Sequence, residues 1–160
     1  MSEIDLNDPM AVGNLTGWAK IQPDKPAVIT VSNGKSVTFG ELEAQANRVA
    51  RLLRKHGLKR GDTIVTLVGN STEFLEINNG AQRSGLYLVP IASRLNAEES
   101  AYIINDSGAR VAIIDATTKH GADLAANFAT MCPKVEHVYA VRGDLPGLQR
   151  WEDAVAAMPA

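Results

Sequence analysis

The side chains able to do chemistry are few in this chain of 160 residues, and they are scattered. His56, His120 and His137 are its three histidines, and none stands at the short interval from another that zinc sites use. His56 precedes Gly57, where an imidazole caps a helix and meets the negative end of its dipole. Cys132 is the single cysteine. It stands before Pro133 at the predicted end of a helix, with no base beside it to generate a thiolate, and reads as a small, half-buried residue. No Gly-x-Ser-x-Gly elbow presents a serine. The pairs Glu41/Glu43, Glu73/Glu76 and Glu98/Glu99 read as caps and first-turn charges. Arg48, Arg51, Arg54, Lys55, Lys59 and Arg60 lack interleaved aromatic residues, so a solvated helix face explains them better than a polyanion stripe. Neither nucleotide-binding glycine signature occurs. The one turn whose free amides could hold an anion is Val68-Gly-Asn-Ser-Thr72, and helix capping accounts for it more simply. The residues therefore predict no catalytic side chain and no metal ligand.

The elements that would position these residues are clearer than the chemistry. A weak helical pattern through Leu15, Trp18 and Ala19 stops at Pro23 and Pro26. Residues 27–31 and 36–39 flank Asn33-Gly34, a pair suited to the positive φ angles of a tight hairpin turn. Thr38 and Glu41 form a capping box. Leu42, Ala46, Val49, Ala50 and Leu53 then recur at helical spacing until His56-Gly57. Residues 63–68, 86–91, 110–114 and 137–141 are short apolar runs suited to buried strands. Between them lie helical segments: one capped by residues 70–72 and ended by Gly85, one opened by a second capping box at Asn96 and Glu99, and one over roughly 118–130. A last short helix is predicted over 149–158. Single helices alternating with strands imply right-handed crossovers and a mostly parallel sheet. The expected architecture is α/β, with βαβ units preceded by an N-terminal helix and a β-hairpin.

Bulk properties add exclusions. The formal charge of -2 gives no global pull toward nucleic acid or anionic membrane. No apolar run approaches the ~20 residues a membrane helix needs. One cysteine and an acidic, polar start suit the cytoplasm.

Several segments together resemble the start of the adenylate-forming enzymes, which comprise acyl- and aryl-CoA synthetases, luciferases and peptide-synthetase adenylation domains. They are Pro23-Asp-Lys-Pro-Ala-Val28, Val37-Thr-Phe-Gly-Glu-Leu42, Ala46-Asn-Arg-Val-Ala-Arg-Leu-Leu53, Gly57-Leu-Lys-Arg-Gly-Asp62 and Asn70-Ser-Thr-Glu-Phe74. Arg83 to Pro90, Arg94 to Glu99 and Tyr102 to Arg110 extend the likeness, which covers roughly residues 15–120. The strip Ser93 to Glu99 looks like the CoA-ligase form. At the place of Arg94, aryl-CoA ligases carry an arginine able to reach the CoA phosphates, and bracing of the loop is the structural alternative. Ala92 replaces the usual asparagine, and Arg83-Ser84 replaces the usual Lys-Ala.

The resemblance implies that residues 1–160 are one α/β domain, the N-terminal segment of a larger adenylation domain. Within it, 1–26 would be the helix and proline-rich exit, 27–57 the hairpin and first long helix, and 62–141 the βαβ units. Full-length relatives use ATP, Mg²⁺ and CoA to activate a fatty or aryl carboxylic acid. Their phosphate loop, ribose-binding aspartate, hinge and C-terminal lysine do not occur through Ala160. The chain alone is therefore expected to be inert and to use no cofactor, with the remainder of the adenylation domain as its partner. The alternatives are a free-standing protein-interaction module on the same scaffold, and an isolated nucleotide binder using the 69–72 turn.

Overall fold

The computed structural model describes residues 13–160, so the first twelve residues of the predicted N-terminal segment lie outside the described part. Helix α1 (Leu15–Ile21) starts where Asn14 accepts a hydrogen bond from the Gly17 amide at 2.9 Å. The prolines that follow turn the chain into β1 (Pro26–Thr30), which pairs antiparallel with β2 (Lys35–Thr38). The connecting turn differs from the expectation. Gly34 takes a φ of 71°, but Asn33 does not join it at positive φ. Asn33 instead accepts from the Lys35 amide through its side chain, which is the other way asparagine makes turns.

Helix α2 (Phe39–Lys55) opens with the Thr38/Glu41 capping box and buries all five predicted apolar positions, with Leu52 beside them. Gly57 follows its end with a φ of 74°. The rest of the described chain is β3 (Thr63–Leu67), α3 (Thr72–Arg83), β4 (Tyr87–Pro90), α4 (Ala97–Asp106), β5 (Val111–Asp115), α5 (Lys119–Ala126), α6 (Phe128–Met131), β6 (His137–Val141), β7 (Gln149–Arg150) and α7 (Trp151–Ala156).

Five strands form a parallel sheet in the order β4-β3-β5-β6-β7. Because side chains alternate along a strand, each strand feeds two cores. From β5, Val111 and Ile113 join Val49, Leu53, Ile77 and Trp151 beneath α2, α3 and α7. Ala112 and Ile114 join Ile104, Leu124 and Phe128 beneath α4, α5 and α6. The sheet is thus covered on both faces, which explains its near-continuous apolar runs.

Two expected helices are corrected. The stretch 118–130 breaks into α5 and α6 at Asn127, whose ψ of 15° with φ of -123° leaves the helical region. The last helix begins only at Trp151, because Gln149 and Arg150 are taken up as a strand against Tyr139 and Ala140. Cys132 is fully rather than half buried, at 1% exposure, and that burial raises its thiol pKa.

Candidate functional site

In open parallel sheets, ligand sites lie beyond the carboxyl ends of the strands. At the ends of β3 and β4 the structure forms a cavity of about 400 Å³, lined by Val68, Gly69, Asn70, Phe74 and the segment Pro90 to Arg94. One wall is the turn after β3, where Ser71 accepts from the Phe74 amide at 3.3 Å and caps α3 as expected. The other wall is held to the sheet by a 2.7 Å bond from the Ile91 amide to the Thr66 carbonyl, and it then turns so that the Leu95 amide reaches Ala92. The 69–72 turn, through Gly69 and Asn70, and Arg94, the position the resemblance singled out, therefore share one rim. Arg94 is exposed there and has no ion-pair partner among the described residues.

Other groups sit elsewhere than their sequence positions suggested. His56 caps α2, but its ring also stacks on His137 with centroids 3.7 Å apart. Its Nε2 shares a 2.5 Å hydrogen bond with the Tyr139 hydroxyl. Burial, and then the His137 charge, lowers the His56 pKa, while burial raises that of Tyr139. His120 lies on α5, across the sheet, and among the described residues no three His, Cys, Asp or Glu side chains are arranged to hold a metal ion.

Glu41 and Glu99 are the expected caps, but Glu43 and Glu76 are not first-turn charges. Glu43 forms a two-bonded ion pair with Arg83, also accepts from Thr16, and ties α1 and α3 to α2. Burial opposes ionisation of Glu43, and the bond and charge of Arg83 outweigh it, so its pKa lies below the ordinary value. Arg83 also bonds Asn47. Arg48 departs from the solvated face, with its Nε buried. Two further groups carried no sequence signal at all. Asp115, 1% exposed, accepts from Thr117 and pairs with Arg142 at 3.2 Å, and Arg142 is the one non-glycine described residue at positive φ, 65°.

Glu76 leads to a direct test. Burial, then the charge of Glu73, pushes its pKa from 4.5 up to about 7. A folded-state pKa above the unfolded one means the folded protein holds the proton more tightly. The stability this confers is complete below pH 4.5 and is lost as pH rises through 7. Glu76→Gln is therefore expected to stabilise the protein at pH 8 by on the order of 1–3 kcal/mol and to change little at pH 5. Urea melts at the two pH values measure the difference, and an equal shift at both would refute the assignment.

The family model for AMP-binding enzymes matches residues 15–157. The chain belongs to the AMP-binding enzyme family. The match runs past the resemblance seen at residues 15–120 and takes in β6, β7 and α7. Among relatives of this AMP-binding chain, a 3-hydroxybenzoate–CoA ligase of Aromatoleum sp. (strain CIB) is 37% identical over 97 residues, which are 61% of the chain and 18% of that ligase. The uncharacterized protein Rv1549 of Mycobacterium tuberculosis is 30% identical over 132 residues, 82% of the chain and 72% of that protein. A solved Mycobacterium tuberculosis fatty acyl CoA synthetase superposes with a TM-score of 0.77 at 28% identity, over 91% of the chain and 28% of the synthetase. The chain thus spans about a fifth of the curated ligase and corresponds to the N-terminal portion of the adenylate-forming fold. No helix of the described residues is long and apolar enough to cross a membrane.

Proposed function

We propose that these 160 residues are the N-terminal scaffold of an ATP-dependent acyl- or aryl-CoA ligase, that Arg94 receives a phosphate of CoA, and that the segment by itself does not activate a carboxylate. The observation carrying this reading is an exposed guanidinium, without an ion-pair partner among the described residues, on the rim of the cavity at the carboxyl ends of β3 and β4. A guanidinium so placed can grip a phosphate through two parallel bonds. CoA, when bound, supplies the thiol that takes the acyl group. This chain's part is to hold and orient the phosphate end through Arg94.

The same cavity does not fit a magnesium triphosphate. Among the described residues Arg94 is the single cation on its lining and no carboxylate joins it, whereas a triphosphate and its metal need several charges held in place. Activation of the acid therefore falls to residues outside this segment. Ile29, Val31, Tyr87 and Tyr102 are large apolar side chains left 64%, 93%, 68% and 71% exposed, as surfaces that take up the remainder of an adenylation domain would be.

Two measurements on the purified chain test the reading. ATP–pyrophosphate exchange with benzoate or a fatty acid should stay at background, and exchange above it would overturn the inert-segment part. CoA should shift the amide resonances of residues 92–95 where pantetheine, which lacks the phosphates, does not. Arg94→Ala should weaken that binding about tenfold or more, the worth of one charged hydrogen bond. Unchanged CoA binding in the variant would remove the role of Arg94.

A further inference from the structure

The dipeptide Asn-Gly occurs twice in the chain, at Asn33-Gly34 and at Asn79-Gly80, and the fold places the two copies in opposite settings. In this pair the backbone nitrogen of the glycine can attack the carboxamide carbon of the asparagine, and no Cβ on the glycine hinders the approach. Asn33 and Gly34 are exposed in the turn between β1 and β2, with open space where a Gly34 Cβ would stand. The Asn33 Oδ1 accepts from the Lys35 amide at 3.0 Å. That bond folds the carboxamide back along the Gly34 peptide and draws electron density from its carbon. The Gly34 amide donates to the Thr30 carbonyl at 2.9 Å, a bond in an exposed turn that opens locally without disturbing the core.

Asn79-Gly80 lies inside α3. There the backbone is held by the hydrogen bonds of the helix, and the Asn79 Nδ2 donates to the Leu75 carbonyl at 2.8 Å. Gly80 is buried against Val49 and the Ala46 carbonyl of α2. Closing a ring from Asn79 onto the Gly80 nitrogen requires the asparagine to leave its helical dihedrals. That movement would break α3 at the point where it packs on α2. The same two residues are thus free to react in one place and locked in the other.

We propose that Asn33 is a site of self-modification, converting through a cyclic imide to aspartate and isoaspartate, and that the fold protects Asn79 from the same reaction. Hydroxide takes the Gly34 amide proton, and the nitrogen forms a bond to Asn33 Cγ. Negative charge gathers on Oδ1, where the Lys35 N–H already points. The carboxamide nitrogen then leaves as ammonia, taking a proton from water. Water opens the five-membered imide at one carbonyl to give aspartate, or at the other to give isoaspartate. One water is consumed, one ammonia is released, and nothing is oxidised or reduced. Both products place a negative charge beside Lys35. Isoaspartate also lengthens the main chain by one methylene, inside a turn whose register pairs Thr30 with Lys35, and so loosens the hairpin that carries the exposed Ile29 and Val31.

Mass spectrometry of the purified chain, held folded in mildly alkaline buffer and then digested, tests this directly. Each conversion adds one dalton, and fragmentation locates it. Asn33 is expected to convert about tenfold or more faster than Asn79, a barrier difference of about 1.4 kcal/mol, and to yield two products that separate by chromatography. Raising the pH should speed the reaction, because the attacking species is the deprotonated amide. In strong urea the gap between the two sites should close, since the helix no longer restrains Asn79. Asn33→Gln should abolish the gain at that position and leave Asn79 as it was. Folded protein that converts Asn33 no faster than Asn79 overturns the proposal, and so does a gap that persists in urea. Aspartate as the sole product would mark direct hydrolysis without the ring, and overturns it too.

Discussion

Trp151→Ala is expected to remove about 3–5 kcal/mol of unfolding free energy. Trp151 is the first residue of α7 and the largest fully buried side chain in the structure. It meets Tyr139 edge-on with ring centroids 5.4 Å apart, an arrangement aromatic pairs favour. The helix it opens has six residues, far fewer than a helix needs to persist without tertiary packing. Truncating the indole leaves a cavity under the sheet and releases the element that closes this end of the core. A domain of this size has roughly 5–15 kcal/mol in all, so the variant should unfold at a much lower urea concentration when followed by circular dichroism. A loss below about 1 kcal/mol, the ordinary effect of a surface substitution or less, would show that α7 is not docked through this residue.

Gly80→Ala should destabilise as well, against the helix propensity of alanine. In an exposed helix this exchange gains about 1 kcal/mol. Here the added Cβ would collide with Val49 Cγ1 and lie 2.6 Å from Val49 Cβ and 3.1 Å from the Ala46 carbonyl oxygen. Glycine lets α3 approach α2 at this crossing, and the methyl group forces the helices apart. The net cost is expected to be about 1–3 kcal/mol, the usual penalty of overpacking. Trimming the neighbour tests the cause. In the Gly80→Ala background, Val49→Ala should restore part of the loss, and a double-mutant cycle gives the coupling. Independent, additive effects would refute the contact, and a stabilised Gly80→Ala would refute the crossing itself.

Local signals carried most of the fold into view. Both capping boxes, the ends of α2 at Thr38 and Gly57, and the buried strands are written in neighbouring residues, and they appear where those residues require. The start of the last helix was misread for want of its distant partner. Gln149 and Arg150 look like the start of a helix until β6 is there to pair with them, and no window around them contains β6. The surroundings of Glu76 and Arg48 were still less legible. Glu76 and Arg48 look solvated within their own helices, and only the docking of α7, through Trp151 and Glu152, buries them together. In the same way His56 and His137 come from distant elements and meet only because α2 lies over the amino end of β6. Arg94 was found from the resemblance, whereas its sharing of a rim with the 69–72 turn follows from β3 and β4 being neighbours.

The strand order also sets a timetable for the growing chain. The β1–β2 hairpin and α2 draw on contacts between near neighbours and can form as soon as they leave the ribosome. β3 emerges next with both edges bare. Its Ile64 first finds Leu88 on β4, on the outer side, and its inner edge stays open until Val111 arrives on β5. Ile64, Val65 and Leu67, the buried apolar residues of that strand, spend this interval as an unpaired apolar edge, the kind of surface that recruits other chains. A nascent chain halted between Pro90 and Val111 would be held in that state, and the shortest product able to close the middle of its own sheet runs past Asp115.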